Sequence, residues 1–276
     1  MPLYARPARL DEALQVLAGG ATILAGGTDH YPARVGKPLT EPILDLTAIR
    51  GLREIVELES HWRIGAALTW TDLLEARLPP VFDGVKLAAR EIGGVQIQNS
   101  GTLAGNVCNA SPAADGVPAL LALEASVELA STQGVRVLPL EQFILGPRKT
   151  QRRPDELVTA IIIPKPRGEA RSHFIKLGAR KYLVISIAMA SVVIEHDKGV
   201  VHAARVAVGA CSPVAVRLRM LEAALCGQPM GERLHKVATA EHLIPLKPID
   251  DVRANAGYRT DAALTLVRRT IAGACA

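Results

Sequence analysis

The sequence predicts an α+β fold. Strand-like apolar runs arrive in groups, and helices follow those groups instead of alternating with single strands. Aromatic residues make up only 3% of the chain, so Ala, Val, Leu and Ile must do the packing. With 276 residues, 49% of them hydrophobic, the chain is long enough for one large or two modest domains.

Residues 9–17 place Leu10, Leu14 and Leu17 on one helical face, and Gly19-Gly20 ends that helix. Residues 21–25 read as a buried strand broken by Gly26-Gly27, and 43–46 as another short strand. Residues 55–58 and 62–65 read as a strand pair across a charged turn. Helices are expected over 69–76 and 81–91. Residues 92–115 are rich in Gly and Asn, with little secondary-structure signal. Long irregular stretches in compact domains are functional or disordered, and the Ile, Val and Leu punctuating this one argue against disorder. A helix is expected over 118–123, a hairpin from 126–130 and 135–138, and a strand over 157–163 stopped by Pro164. Residues 167–171 read as a linker. Beyond it, 172–177, 188–194 and 200–208 give three strands. Helices over about 214–226, 232–241 and 256–271 close the chain. There is no internal repeat or low-complexity tract.

Lys+Arg is 32 against 27 for Asp+Glu, a net +5 that does not call for nucleic acid. The charge is uneven: residues 146–181 hold ten basic residues and three acidic ones. That stretch is either a solvated face or a surface for an acidic partner or a phosphate-bearing ligand. The four cysteines form no CxxC pair and match no zinc or iron–sulfur spacing. They read as small core residues. No secretory signal stands at the start and no apolar run approaches the roughly 20 residues of a membrane span, so a cytoplasmic location is expected.

Two glycine-rich segments carry the chemistry. The first is Leu24-Ala25-Gly26-Gly27-Thr28-Asp29, directly after a strand. Glycines let backbone approach a phosphate and aim successive N–H groups at it, and Thr28 adds a hydroxyl. A tight turn uses the same residues, and this segment alone does not separate the two readings. The second, residues 99–115, holds small residues, amides and hydroxyls with little bulk, which suits a flat polar ligand lying on backbone or a self-satisfied Ω-loop. Neither segment matches GxGxxG or GxxxxGK[ST], so Rossmann and P-loop nucleotide sites are unsupported.

Together, about seventy residues apart, the segments resemble the FAD-binding medium subunits of the xanthine dehydrogenase and carbon monoxide dehydrogenase family. The resemblance rests on AGGTD at residues 25–29, on Gln96-Ile97-Gln98-Asn99-Ser100-Gly101-Thr102, and on residues 106–115. It continues in Phe174-Ile175-Lys176 through Arg180-Lys181, in Ile185-Ser186-Ile187-Ala188, and in Asp251-Val252-Arg253 with Tyr258-Arg259. Two positions depart from the family pattern: Ala104 stands where Gly is usual and Gln98 where Arg is common. An alanine there is strained only if its φ is positive.

The resemblance implies a two-lobed, vanillyl-alcohol-oxidase-like FAD domain over residues 1–168, with lobes of about 1–55 and 56–168. A smaller α+β domain with a three-stranded sheet and helices would follow over 169–276. It implies non-covalent FAD, with Leu24, Ala25, Gly26, Gly27, Thr28 and Asp29 on one side of the pyrophosphate and Thr102, Gly105 and Asn106 on the other. Asp115 would meet the ribityl or adenosine part and Val158 the adenine end. Lys176 would lie near the polar edge of the flavin, and Ile92 and Ile185 would flank its faces. No catalytic residue is implied. The substrate would be oxidised at a molybdenum cofactor on a large subunit. Electrons would cross two [2Fe–2S] clusters on a small subunit, reach this FAD, and leave to NAD⁺, oxygen or another acceptor. The family assembles as a dimer of heterotrimers. Two rivals are a self-contained flavin oxidase, which needs its own substrate pocket, and a scaffold that has lost its cofactor.

Overall fold

The computed structural model describes residues 4–36, 38 and 40–276. The chain opens with strand β1 (Tyr4–Ala5), helix α1 (Leu10–Ala18) and strands β2 (Thr22–Leu24) and β3 (Ile43–Asp45). The strands form a parallel sheet in the order β1-β3-β2. Adjacent parallel strands cannot be joined by a tight hairpin. Helix α1 makes the first connection, burying Ala13, Leu14 and Leu17 in a cluster with Leu44, Leu46 and Leu157.

Next come β4 (Ile55–Glu57), β5 (His61–Gly65), α2 (Trp70–Glu75) and α3 (Asp83–Glu91). The Thr69 hydroxyl accepts the Asp72 N–H while Asp72 accepts the Thr69 N–H, a reciprocal cap that starts α2. Residues 92–115, expected as irregular, contain α4 (Val95–Ser100) and α5 (Leu103–Asn109). Helix α4 buries no residue, so it leaves no apolar stripe in the sequence. Helix α5 is marked by its cap, the Thr102 hydroxyl accepting the Gly105 N–H at 3.0 Å.

The chain continues through α6 (Gly116–Ala122), buried at every position, then β6 (Ser126–Ser131) and β7 (Gly134–Pro139). After α7 (Leu140–Phe143), β8 (Ile144–Gly146) pairs with β9 (Lys149–Thr150). Strand β10 (Leu157–Pro164) completes an antiparallel sheet in the order β4-β5-β10-β6-β7. It takes the centre because it is apolar on both faces, and Pro164 ends it by lacking an N–H.

The expected linker at 167–171 is half strand: β11 (Glu169–Leu177) begins at Glu169 and pairs with β12 (Ala188–Asp197) from His196 onward. Strands β13 (Val200–Gly209) and β14 (Val216–Arg217) follow, giving an antiparallel sheet of four strands instead of three. Two residues are too few for β14 to show an alternation in sequence. The expected helix over 214–226 shortens to α8 (Arg219–Leu225), and 232–241 is two 3₁₀ turns, Leu234–Val237 and Ala240–Leu243. Helix α9 (Ala256–Cys275) is capped by the Asn255 side chain. Of the cysteines read as core, Cys211 is buried and Cys226 is exposed.

Strand β12 is buried on both faces. Met189 and Val193 join the core of the preceding sheet, while Ala190, Val192 and Ile194 pack with Ala263, Val267 and Ile271 of α9. Ser172 adds a polar tie: its hydroxyl donates to Val81 O and accepts the Gly84 N–H, both at 2.7 Å.

The Asp251/Arg259 element is structural. The buried Arg259 guanidinium donates to Ala210 O at 3.0 Å, to Ile187 O, and to Asp251 at 2.7 Å. The Arg253 N–H and then Arg259 hold the Asp251 carboxyl down at about 2, well below the usual carboxylate range. A depressed carboxylate adds stability that is complete above its unfolded pKa of about 3.9 and lost as pH falls toward its folded value. Asp251→Asn should therefore melt below the parent protein at pH 5, with the gap in melting temperature closing between pH 4 and pH 2. A gap that stays constant over that range would contradict the assignment.

Candidate cofactor-binding cleft

A cleft of about 670 Å³ opens between β2 with its following loop and α5 with the start of β10. Its size falls in the range of small-molecule sites. Gly26 sets its floor. A Cβ there would lie 1.8 Å from Ser100 O, so the two glycine-rich segments touch backbone to backbone. Gly27 has φ +71°, and a Cβ on it would lie 2.5 Å from the Tyr31 ring. Among the described residues, the N–H groups of Gly26, Gly27 and Thr28 have no hydrogen-bond partner. Opposite them a short strap fixes the start of α5: Trp70 N–H donates to Gly101 O at 3.1 Å and Leu103 N–H to Leu68 O at 3.0 Å. Asn106 Oδ1 is buried beside them without a partner among the described residues. At the mouth, Arg148 Nη1 donates to Asp29 Oδ2 at 2.7 Å and also contacts Asn109 Oδ1, joining the two segments.

The structure brings together Leu24, Ala25, Gly26, Gly27, Thr28, Asp29, Ile92, Thr102, Gly105, Asn106 and Val158, all of which line this cleft. It does not bring Asp115, Lys176 or Ile185 to it. Lys176 Nζ donates to Asp115 Oδ2 at 2.8 Å, to Glu91 O at 3.1 Å and to Val184 O at 3.2 Å. Its three protons are spent. The Ser186 hydroxyl donates to the other Asp115 oxygen. Burial pushes the Asp115 carboxyl up, with Lys176 and Ser186 pulling against it. This buried pair fixes the backbone just before Ile92 and the segment before Ser186, so it supports the cleft from outside. Ile185 is 53% exposed and lies away from the lining.

The sequence reading missed Trp70, Arg152, Pro154 and Leu157, which also line the cleft. Trp70 lies in an expected helix and Leu157 starts an expected strand, and both are buried. Arg152 lay in a basic run that offered no way to single it out. Ala104 sits inside α5, 3% exposed, and is not among the residues with positive φ, so the departure from Gly there carries no backbone strain. Cys108 lines the cleft as a thiol, since burial pushes it up to about 11.

Residues 2–166 match the family described as the FAD binding domain in molybdopterin dehydrogenase, and residues 173–274 match the CO dehydrogenase flavoprotein C-terminal domain. The chain belongs to this FAD-binding family. It is 30% identical to the putative xanthine dehydrogenase FAD-binding subunit of Escherichia coli (strain K12), with 99% of this chain and 96% of the relative covered. It is 29% identical to the nicotine 6-hydroxylase medium subunit of Paenarthrobacter nicotinovorans, over 97% and 95% of the two chains. A chain of reconstituted CO dehydrogenase from Oligotropha carboxidovorans superposes with a TM-score of 0.90 at 28% identity, covering 99% of this chain and 96% of that one.

The cleft fits the family's cofactor on its own geometry. A dinucleotide needs convergent N–H donors at its diphosphate and no unpaired acid beside them. The free N–H groups of the first segment supply the donors, and Arg148 pairs the one carboxylate among the described lining residues, Asp29. The chain is thus an FAD-binding oxidoreductase subunit of the molybdenum hydroxylase type, with an α+β fold. No helix among the described residues is long and apolar enough to cross a membrane.

Proposed function

We propose that this chain is the electron-relay subunit of a molybdenum hydroxylase. It would take electrons from [2Fe–2S] clusters on a small partner subunit and hand them to NAD⁺, oxygen or another acceptor. A large partner subunit would hold the molybdenum cofactor and oxidise the substrate, in a dimer of heterotrimers. The observation that carries this reading is the Gly26–Ser100 contact, which brings two distant glycine-rich segments together where they would form a dinucleotide cradle. Bound FAD would supply a store for two electrons that can be filled and emptied separately.

The chain's own residues bind and orient. Ala25 to Asp29 would face the diphosphate from one side and Thr102, Gly105 and Asn106 from the other. Val158 would meet the adenine end and Ile92 one face of the ring. Lys176 and Asp115 would act one layer back, by holding the Glu91 carbonyl next to Ile92. The FAD would be held without a covalent bond. Nothing in the cleft reads a substrate, which accords with similar identity to relatives named for xanthine and for nicotine. We place the domain division near residue 168, where the two family matches leave a gap between 166 and 173.

The test is made on the chain co-purified with its partner subunits. Adding the holoenzyme's substrate should bleach the 450 nm flavin band within one turnover, while the isolated FAD-loaded chain shows no change. Turnover by the isolated chain would favour a self-contained flavin oxidase and overturn the relay.

A further inference from the structure

Arg152 has no place in the reading above, yet it is the one arginine or lysine among the described residues lining the cleft. The cleft has two ends, set by α5. Ala104 and Cys108, and Gly105 and Asn109, line it at the one-turn spacing of a helix face, so α5 runs along the cleft. Ile92, Ile97 and Gly101 gather at its N-terminal end. Arg152 lies with Cys108, Pro154, Leu157 and Val158 at the other end, and its charge acts on the Cys108 thiol. Cys108 is six residues beyond Thr102, about 9 Å along the helix. Through Glu156 O, Arg152 also sits next to Leu157 and Val158, and Val158 is the residue the reading above puts at the adenine end.

Its guanidinium is also fixed. Nη1 donates to Glu156 O at 2.8 Å and Arg153 O at 3.0 Å, two carbonyls of its own turn. Nε and Nη2 make no hydrogen bond among the described residues. A guanidinium held in this way is a pre-oriented planar cation, and such a cation stacks on the face of an aromatic ring. We propose that Arg152 is the adenine-reading residue of the cleft, a planar cation that stacks on the nucleobase and selects FAD over FMN. The inference rests on the FAD reading given above and adds the specificity of its nucleoside half.

The test uses the full-length chain with Arg152→Leu and Arg152→Lys. The Kd for FAD is read by flavin fluorescence, with AMP and FMN as competitors and the melting temperature of each FAD-free chain as a folding control. Both variants should raise the Kd for FAD about tenfold and weaken AMP by the same factor. FMN competition and the melting temperatures should not move. Three results would overturn the proposal: Arg152→Lys binding FAD like the parent, which would mean charge alone; an unchanged Kd in Arg152→Leu; or a loss shared by FMN or by the melting temperature. A parent chain that bound no FAD would overturn the cofactor reading itself, and this inference with it.

Discussion

Gly26→Ala should release the cofactor. The added Cβ would lie 1.8 Å from Ser100 O and 2.9 Å from Gly101 Cα, and both are backbone atoms that no side-chain rotation can move away. Relief requires the two segments to part. Overpacking of this kind costs roughly 1–3 kcal/mol in stability. The effect on FAD should be larger than that on folding, because the contact that opens is the proposed diphosphate cradle. We expect the Kd for FAD to rise at least about 100-fold, which corresponds to about 2.7 kcal/mol. Gly51→Ala is the control. Gly51, unlike Gly26, has a left-handed conformation, φ +79°, and a Cβ there meets nothing within 4 Å. That variant should lose about 1–2 kcal/mol of stability from backbone strain and keep its FAD affinity. Equal FAD affinity in Gly26→Ala and the parent would show that the contact does not shape the site.

Lys176→Met should be strongly destabilising. Lys176 and Asp115 are 5% and 9% exposed at their side chains and 2.8 Å apart. Removing one partner of a buried pair leaves an uncompensated charge, at a cost of about 3–5 kcal/mol. The pH dependence has a definite sign. Burial already raises the Asp115 carboxyl, and losing Lys176 removes the main opposing pull. A carboxyl raised in the folded state gives up stability as pH rises above its unfolded value of about 3.9. Lys176→Met should therefore be nearest the parent at pH 4 and furthest from it at pH 7 in denaturant titrations. The double variant Asp115→Leu with Lys176→Met should recover most of the loss, since it removes both charges. A single variant as stable as the parent at pH 7 would contradict the buried pair.

Much of the α+β architecture was legible because long-period signals survive in single sequences. Leu10, Leu14 and Leu17 lie about one helical turn apart; Leu14 and Leu17 are buried in α1 and Leu10 packs half-buried against the same cluster. The apolar run of β10 has the length and β-branched content of a central strand. What failed was short or lacked an apolar face. Strand β14 is two residues long, α4 buries nothing, and the 3₁₀ turns at 234–237 and 240–243 bury only scattered residues. Local pattern has nothing to report in such places.

The cleft divides in the same way. Its backbone-built part was readable, because glycine, threonine and asparagine in sequence report their own local geometry. Gly26, Gly27, Thr102 and Asn106 all line it. Side chains that enter from distant elements were not readable. Lys176 and Asp115 are 61 positions apart, and nothing local says that they pair with each other rather than with a ligand. Arg152 reaches the cleft through a turn whose conformation depends on the carbonyls of Arg153 and Glu156.

The most direct test of the account is the flavin content of the purified chain. The chain is incubated with FAD and desalted, its absorption spectrum is recorded, and the flavin is then released with acid. The account predicts close to one FAD per chain, all of it recovered in the acid supernatant. A chain that retains no flavin, alone and with its partner subunits, would contradict the central claim, and flavin that stays with the acid-precipitated protein would contradict non-covalent binding.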